Sequence, residues 1–176
     1  MKKYLIVLAA LLFLGQIFWI TQSHDAAIET GKNVARFPDF TLPSLFEPDK
    51  NIVHADLEAQ NIKIVNFFAS WCGPCKVEHP LLMDLAEKNL AILGINYQDS
   101  QKAARLFLKN KGNPYQITAW DERGNQGMKW GIMSIPQTFV IDQKGHILYH
   151  KSGRLHPDDI TKYILPLFKN ITPESS

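Results

Sequence analysis

Cys72 and Cys75 are the only cysteines in the chain, and their spacing could support redox chemistry. An apolar run typical of a buried strand, residues 62–69, ends just before them, and a helical pattern begins with them. A thiolate in the first turn of a helix faces unpaired backbone N–H groups and the positive end of the helix dipole, so the pKa of the thiol falls. The pattern therefore predicts an exposed nucleophile at Cys72. Cys75, one turn further on, is expected to release a bound partner from a mixed disulfide.

A structural disulfide and a metal site are the alternatives for this pair. A disulfide across so short a loop constrains the unfolded chain little, so stability is a poor reason for it. Zinc would need more ligands. His79 follows one turn after Cys75, but the sequence has no second cysteine pair to complete a tetrahedral site. The spacing and the strand–helix context favour a redox pair over both.

The residues around the cysteines resemble the thioredoxin active site, Trp-Cys-Gly-Pro-Cys. Trp71, Gly73 and Pro74 complete that motif here. Pro74 suits the start of a helix because it has no N–H to leave unpaired and its ring pre-sets the backbone. The resemblance implies that these three residues shape the site around the two thiols.

Length and charge exclude some functions. The 176 residues allow one domain of ordinary size and a tail, and the formal net charge of +2 is nearly balanced. No basic stripe or long run of charge is present, so the sequence gives no support for binding nucleic acid.

The N-terminus predicts a membrane anchor. Lys2 and Lys3 precede an apolar run over residues 4–20, which is near the lower length limit for crossing a bilayer, ~17–20 residues. No Lys or Arg follows until Lys32, so the positive-inside rule keeps the N-terminus in the cytoplasm and places the rest outside. A cleaved signal peptide is the alternative. We expect residues 1–22 to be an anchor or signal peptide, 23–36 a spacer, 37–170 the domain and 171–176 a tail.

Strand and helix patterns alternate through the domain. Residues 37–43 fit an edge strand or extended lead-in, and residues 51–57 a short strand and turn. The helix that starts at Cys72 contains Pro80 and is expected to bury Val77, Leu81, Leu82 and Leu85. The other elements are expected as strands at 62–69, 91–95 and 116–120, a helix capped by Asp99 or Ser100, a short helix at 126–130, a hairpin at 138–150 and a last helix from Pro157. This order predicts an α/β, thioredoxin-like fold, a central mixed β-sheet flanked by helices, with a strand–helix segment inserted at 91–115.

Several motifs in this order resemble the DsbE/CcmG family of membrane-anchored, thioredoxin-like thiol:disulfide interchange proteins. They stand at residues 37–43, 66–72, 78–80, 94–99, 112–115 and 130–142. The resemblance covers residues 37–168, nearly the whole domain. It implies a protein of cytochrome c biogenesis that needs no cofactor. Its expected partners are the haem-attachment segment of apocytochrome c, Cys-x-x-Cys-His, and a membrane electron donor of the DsbD or CcdA type. The expected location is the bacterial inner membrane, single-pass, with the C-terminal domain in the periplasm.

The same resemblance assigns further site residues. Pro136 is expected to follow a cis peptide bond beside the cysteines, and the backbone of Ile135 could pair with an incoming peptide strand. Gln137 stands where the family has an acid, so it cannot titrate and should ease thiolate formation. Asn66 stands where thioredoxins usually have a buried Asp. Glu78, one turn after Cys75, could move a proton to that thiol, or it could be an ordinary solvated carboxylate.

Other functions with the same residues remain open from the sequence. One is a general exported disulfide reductase or oxidant of the TlpA/ResA type, with the same fold and cysteines. Another is a chaperone that holds apocytochrome without turnover, or one that binds Cu(I) through Cys72, Cys75 and His79, with Met133 nearby. His79 is otherwise expected to be structural or on the surface.

Overall fold

A computed structural model describes residues 35–47, 49–57 and 62–169. The expected anchor at residues 4–20, most of the spacer and the tail lie outside the described residues. Within the described ranges, no helix is both long and apolar enough to cross a membrane.

The described elements follow the predicted order. They are β1 Thr41–Pro43, β2 Asn51–Val53, a 3₁₀ turn His54–Leu57, β3 Ile62–Phe68, α1 Gly73–Glu87, β4 Ile92–Tyr97, α2 Gln101–Lys111, β5 Ile117–Asp121, α3 Asn125–Lys129, β6 Gln137–Asp142, β7 Ile147–Ser152, α4 Pro157–Asp159, a π-helical turn Ile160–Ile164 and α5 Leu165–Lys169.

The main sheet has the strand order β5-β4-β3-β6-β7, and β1 pairs with β2 in a separate two-stranded ribbon. Strands β3, β4 and β5 are parallel, as the predicted strand–helix–strand unit requires, while β6 is antiparallel to both β3 and β7. The thioredoxin-like fold with a mixed central sheet is confirmed. The predicted strand and helix at 91–115 are β4 and α2.

β3 lies at the centre of the sheet because both of its faces are apolar. Ile64 and Phe68 pack on one face together with Leu82 and Leu85 of α1. The opposite face is lined by aromatic rings 5.1–6.3 Å apart, namely Phe37, Phe40, Phe67, Phe139 and Trp130. Burying each such side chain contributes roughly 1.5–3 kcal/mol, so the two layers hold the end of β3 firmly in place.

The prediction that Val77 belongs to the core is wrong. Val77 is exposed on α1, and Leu81 is only half-buried. The buried face of α1 is instead formed by Cys75, Glu78, His79, Leu82 and Leu85. These positions form one stripe at helical spacing, and Val77 lies beside it. Two polar residues therefore occupy the face that the sequence pattern assigned to aliphatic side chains.

The first residues of the domain, from Ala35, pair with the sheet at the end far from the cysteines. Ile147 donates its N–H to the carbonyl of Ala35, and Phe37 donates to the carbonyl of Gly145 in the β6–β7 turn. β3 runs antiparallel to β6, with Ile62 opposite Asp142 and Phe67 opposite Gln137. The turn therefore lies at the start of β3, whereas the cysteines follow its end.

Candidate active site

Cys72 caps the N-terminus of α1. Its backbone is extended, and its Sγ accepts the N–H of Cys75 at 3.1 Å. The two cysteines form a disulfide with their Cα atoms 5.3 Å apart. Pro74 occupies the first turn of the helix, as predicted. A sulfur that already accepts a helix N–H is well placed to carry negative charge when the disulfide is reduced.

Cys72 is not exposed in this disulfide form, which corrects the expectation from the sequence. Only 2% of its surface is accessible, compared with 3% for Cys75. Its Sγ is bonded to the Cys75 sulfur and lies 3.8 Å from the carbonyl oxygen of Ile135. The neighbouring Trp71, by contrast, is 56% exposed.

The loop opposite the disulfide contains the predicted cis peptide bond, between Ile135 and Pro136. Gly153 donates its N–H to the carbonyl of Pro136 at 3.0 Å. Gln137 is buried and donates from Nε2 to the carbonyl of Ser134 at 2.9 Å. Its hydrogen bonds therefore fix the cis-proline loop from within.

His150 completes the support of this loop. Its Nε2 lies 2.9 Å from Oε1 of Gln137, and its ring stacks on Phe139 with the centroids 4.1 Å apart. Burial lowers the pKa of His150, so the ring is neutral near pH 7 and acts as a hydrogen-bond donor to the amide.

Glu78 is a buried carboxyl group, which excludes the solvated alternative. It is 1% exposed, accepts from Nδ2 of Asn66 at 2.9 Å and accepts the N–H of Leu155 at 2.6 Å. Desolvation raises the pKa of Glu78 to about 7, against the lowering effect of these two hydrogen bonds. A group that titrates near neutral pH, one helical turn from Cys75, has the chemistry needed to exchange a proton with it.

His79 has a structural role. Its Nε2 lies 3.1 Å from the carbonyl oxygen of Gly112, and its ring packs on Phe107 with the centroids 5.0 Å apart. Burial lowers the pKa of His79. Met133 is 84% exposed, and in the part of the chain that the structure describes no group of three or more His, Cys, Asp or Glu residues could hold a metal ion.

Two residues near the site were not assigned to it from the sequence. Asp99, considered there only as a possible helix cap, accepts the N–H of Ser70 at 2.6 Å and its hydroxyl at 3.0 Å. Tyr115 donates its hydroxyl to Oδ1 of Asn66 at 2.9 Å. Asp99 follows β4 at the edge where the parallel strands end, the edge that β3 leaves toward the cysteines, and that shared edge is the signal that could have found it. Tyr115 precedes β5 at the opposite ends of these strands, and the sequence pattern carries no signal for its contact with Asn66.

The fold and this site define a thiol:disulfide oxidoreductase of thioredoxin type. The model of the Redoxin family matches residues 32–164. The chain is 41% identical to the thiol:disulfide interchange protein DsbE of Pseudomonas fluorescens biotype C over 150 residues, 84% of this chain and 83% of that one. The chain belongs to the DsbE family of thiol:disulfide interchange proteins.

Two further comparisons agree with this assignment. The chain is 45% identical to the thiol:disulfide interchange protein HelX of Rhodobacter capsulatus over 113 residues, 64% of each chain. Among solved structures, a secreted thiol-disulfide isomerase from Corynebacterium glutamicum has a TM-score of 0.68 and 26% identity, covering 84% of this chain and 95% of that one.

Proposed function

We propose that this protein is a membrane-tethered reductant of cytochrome c biogenesis that reduces the disulfide in the Cys-x-x-Cys-His segment of apocytochrome c. The observation that carries the proposal is the arrangement of three groups on and beside α1. Cys72 caps the helix, Cys75 is buried in its first turn, and Glu78 is buried one turn further on. The motifs shared with the DsbE/CcmG family supply the substrate class.

The reaction is two successive thiol–disulfide exchanges, starting from the reduced protein. The Cys72 thiolate attacks one sulfur of the substrate disulfide, and the second substrate sulfur leaves as a thiolate that takes up a proton. The Cys75 thiolate then attacks the Cys72 sulfur, which breaks the mixed disulfide and releases the substrate sulfur that Cys72 had attacked, and this sulfur leaves as a thiolate that takes up a proton. Two electrons pass to the substrate, and the protein ends with the Cys72–Cys75 disulfide seen here.

Glu78 would handle the proton of the second exchange. Cys75 must lose its proton to attack, and it is buried, so bulk water has poor access to it. A carboxylate whose pKa is about 7 can accept that proton and later return it. The same path in reverse would serve when the disulfide is reduced again.

The cis-proline loop would hold the substrate. The carbonyl of Ile135 lies against the Cys72 sulfur, so an extended peptide that reaches this sulfur passes along the loop backbone. Trp71 and Met133 are exposed apolar side chains that belong to the two loops flanking the disulfide. They would contact the apolar parts of such a peptide.

The proposed location follows from the redox chemistry and the N-terminal segment. A reductant in the oxidising periplasm needs electrons from across the membrane, so we propose a membrane donor of the DsbD or CcdA type. Residues 4–20 would anchor the chain in the bacterial inner membrane, residues 23–36 would act as a spacer, and residues 37–170 would form the periplasmic domain.

A trapping experiment tests this function. Cys75→Ser in the full chain, expressed in its native envelope, leaves mixed disulfides on Cys72 unresolved, and mass spectrometry identifies the trapped proteins. Cys72→Ser is the matched control, because it keeps one thiol but loses the nucleophile. We expect apocytochromes with Cys-x-x-Cys-His and a DsbD-like donor to dominate.

The other outcomes distinguish the alternatives. A broad mixture of exported proteins would indicate a general oxidoreductase. A complete absence of adducts, with apocytochrome bound noncovalently, would overturn the redox role and favour a chaperone.

A further inference from the structure

Asn66 connects two buried titratable residues that belong to different elements. Its Nδ2 donates to Oε1 of Glu78 at 2.9 Å and to Oγ1 of Thr138 at 3.1 Å, while its Oδ1 accepts the hydroxyl of Tyr115 at 2.9 Å. The side chain is fully buried. Both amide hydrogens and the amide oxygen are therefore used, and each contact depends on which way the amide group points.

The orientation of this amide determines whether a hydrogen-bond donor or an acceptor faces the carboxyl group of Glu78. In the observed orientation a donor faces the carboxyl group, which favours its charged form. If the amide were rotated by half a turn, Oδ1 would face the carboxyl oxygen. Two acceptors would then oppose each other in a buried site, and the carboxylate would be strongly disfavoured.

Tyr115 provides the group that distinguishes the two orientations. Burial raises the pKa of its hydroxyl well above the usual range, so the hydroxyl keeps its proton and needs an acceptor. Asn66 offers that acceptor only when Oδ1 points toward Tyr115. The rotated amide would leave the hydroxyl proton of Tyr115 without this partner.

The protein is built to hold the Tyr115 ring in this place. The ring stacks on Phe68 with the centroids 4.6 Å apart. Gly94 leaves the space that the ring needs, because a Cβ atom at that position would lie 2.7 Å from ring atoms. Asn113 accepts the N–H of Tyr115 through its side chain at 3.1 Å and so shapes the turn that follows α2.

We propose that Tyr115 is a positioning residue, which fixes the amide of Asn66 so that a hydrogen-bond donor always faces Glu78. Through this contact, the segment between α2 and β5 sets the proton affinity of a carboxyl group on α1. The use of that carboxyl in thiol exchange rests on the function proposed above, whereas the orientation itself does not.

Within the described residues, hydrogen bonds reach Glu78 from several parts of the fold, either directly or through Asn66. Asn66 faces it from β3, Leu155 from the segment after β7 and Tyr115, through Asn66, from the segment before β5. On its own helix, Cys75 lies one turn before it. In the oxidised protein Cys75 is in the disulfide and does not titrate, so Tyr115 is the other titratable group of this set.

Tyr115→Phe tests the assignment, and Tyr97→Phe is the matched control. Tyr97 is equally buried, at 5% exposure, and donates its hydroxyl to a backbone carbonyl, that of Ile132, at 3.0 Å. Each variant loses one buried hydroxyl, but only the first loses contact with Asn66. The midpoint of Glu78 is measured in the oxidised protein by NMR of carbon-labelled glutamate side chains, with Glu78→Gln identifying its signal.

We expect Tyr115→Phe to raise the Glu78 midpoint by about one pH unit, a tenfold change in proton affinity, and Tyr97→Phe to leave it unchanged. A Tyr115→Phe protein that melts earlier but keeps the wild-type midpoint would show that Tyr115 is only a core residue. If this variant does not fold, the side-chain amide signals of Asn66 in the wild-type protein provide the test. These signals must change with pH at the midpoint of Glu78, and signals that stay constant with pH would overturn the proposal.

The pH profile of disulfide reduction separates this inference from the proposed role of Glu78. A profile that shifts with the NMR midpoint supports both. A midpoint that shifts while the profile stays fixed supports the positioning role of Tyr115 and refutes proton transfer by Glu78.

Discussion

Burial of Glu78 makes the stability of the oxidised protein depend on pH. Its folded-state pKa of about 7 lies above the ordinary value of 4.5, so folding favours the protonated form. The contribution to stability is complete below about pH 4.5 and is lost as the pH rises through 7. This difference between the folded and ordinary pKa values corresponds to about 3 kcal/mol.

Glu78→Gln should remove this dependence. We expect the free energy of unfolding of the oxidised wild-type protein to fall by about 3 kcal/mol from Glu78 alone between pH 4.5 and pH 8, and the Gln variant to lack that fall. Denaturant unfolding of both proteins across this range measures it. Glu122→Gln, at an exposed position, should unfold with the wild-type pH dependence. Equal pH slopes for wild type and Glu78→Gln would contradict the assignment.

The chemistry of the site was predictable at the residue scale, but the state of its carboxyl group was not. The Trp-Cys-Gly-Pro-Cys motif was sufficient to predict the redox pair and its place at the start of a helix. Burial of Glu78 depends on Asn66 and Leu155, which lie 12 and 77 residues away along the chain. Helical spacing alone carries no information on such distant partners.

At the scale of elements, the loop between β4 and α2 holds the segment that leads to Cys72. The carbonyl of Gln98 accepts the indole N–H of Trp71 at 2.8 Å. Asp99 binds Ser70 through two hydrogen bonds and also accepts from Nδ2 of Asn96 at 3.1 Å. Because β3 and β4 are parallel, their C-terminal ends meet at one edge, which brings this loop beside the redox motif.

Asp99→Ala should loosen that segment. It removes the acceptor of the partly buried N–H of Ser70 and leaves Nδ2 of Asn96 with only the carbonyl of Phe68, at 3.4 Å, which costs roughly 2 kcal/mol of stability. The indole N–H of Trp71 should then exchange faster with solvent, as measured by NMR, with Trp71→Phe identifying the signal.

Ser100→Ala is the control for this loop. Ser100 caps α2 by accepting the N–H of Ala103 at 3.2 Å, so its loss should cost about 1 kcal/mol without affecting Trp71. If both variants changed the indole exchange equally, general weakening of the loop would explain the effect and the specific role of Asp99 would be wrong.

Element order was largely predictable, and the error on α1 has a clear cause. β3 and the β6–β7 hairpin have strong β-branched and turn patterns, so their positions were predicted within a few residues. Val77 was assigned to the core because it is apolar, but the buried stripe of α1 includes Glu78 and His79. These polar residues are buried because hydrogen bonds from other elements satisfy them, which the helical pattern does not encode.

At the scale of the molecule, the domain and the N-terminal segment should be separable in function. The described fold begins its pairing with the sheet at Ala35, so a chain that starts at Lys32 keeps all of the contacts described here. We expect this shorter protein, exported by a cleavable signal, to reduce a model disulfide in solution at the wild-type rate. It should fail to support cytochrome c maturation in cells.

Joining an unrelated membrane helix to the shorter protein is the control, and it should restore maturation. Cells that mature cytochromes normally with the untethered domain would show that the proposed anchor is dispensable. The content of haem-stained c-type cytochromes in membrane fractions measures each case.

The position where the chain joins the sheet also has a practical use. Ala35 pairs beside the β6–β7 turn, and the cis-proline loop precedes the other end of β6, roughly 17 Å away for a strand of this length. A sensor surface coupled at Ala35 would therefore hold the domain with its disulfide directed toward solution. Large partner proteins could then be assayed for binding and release in one uniform orientation.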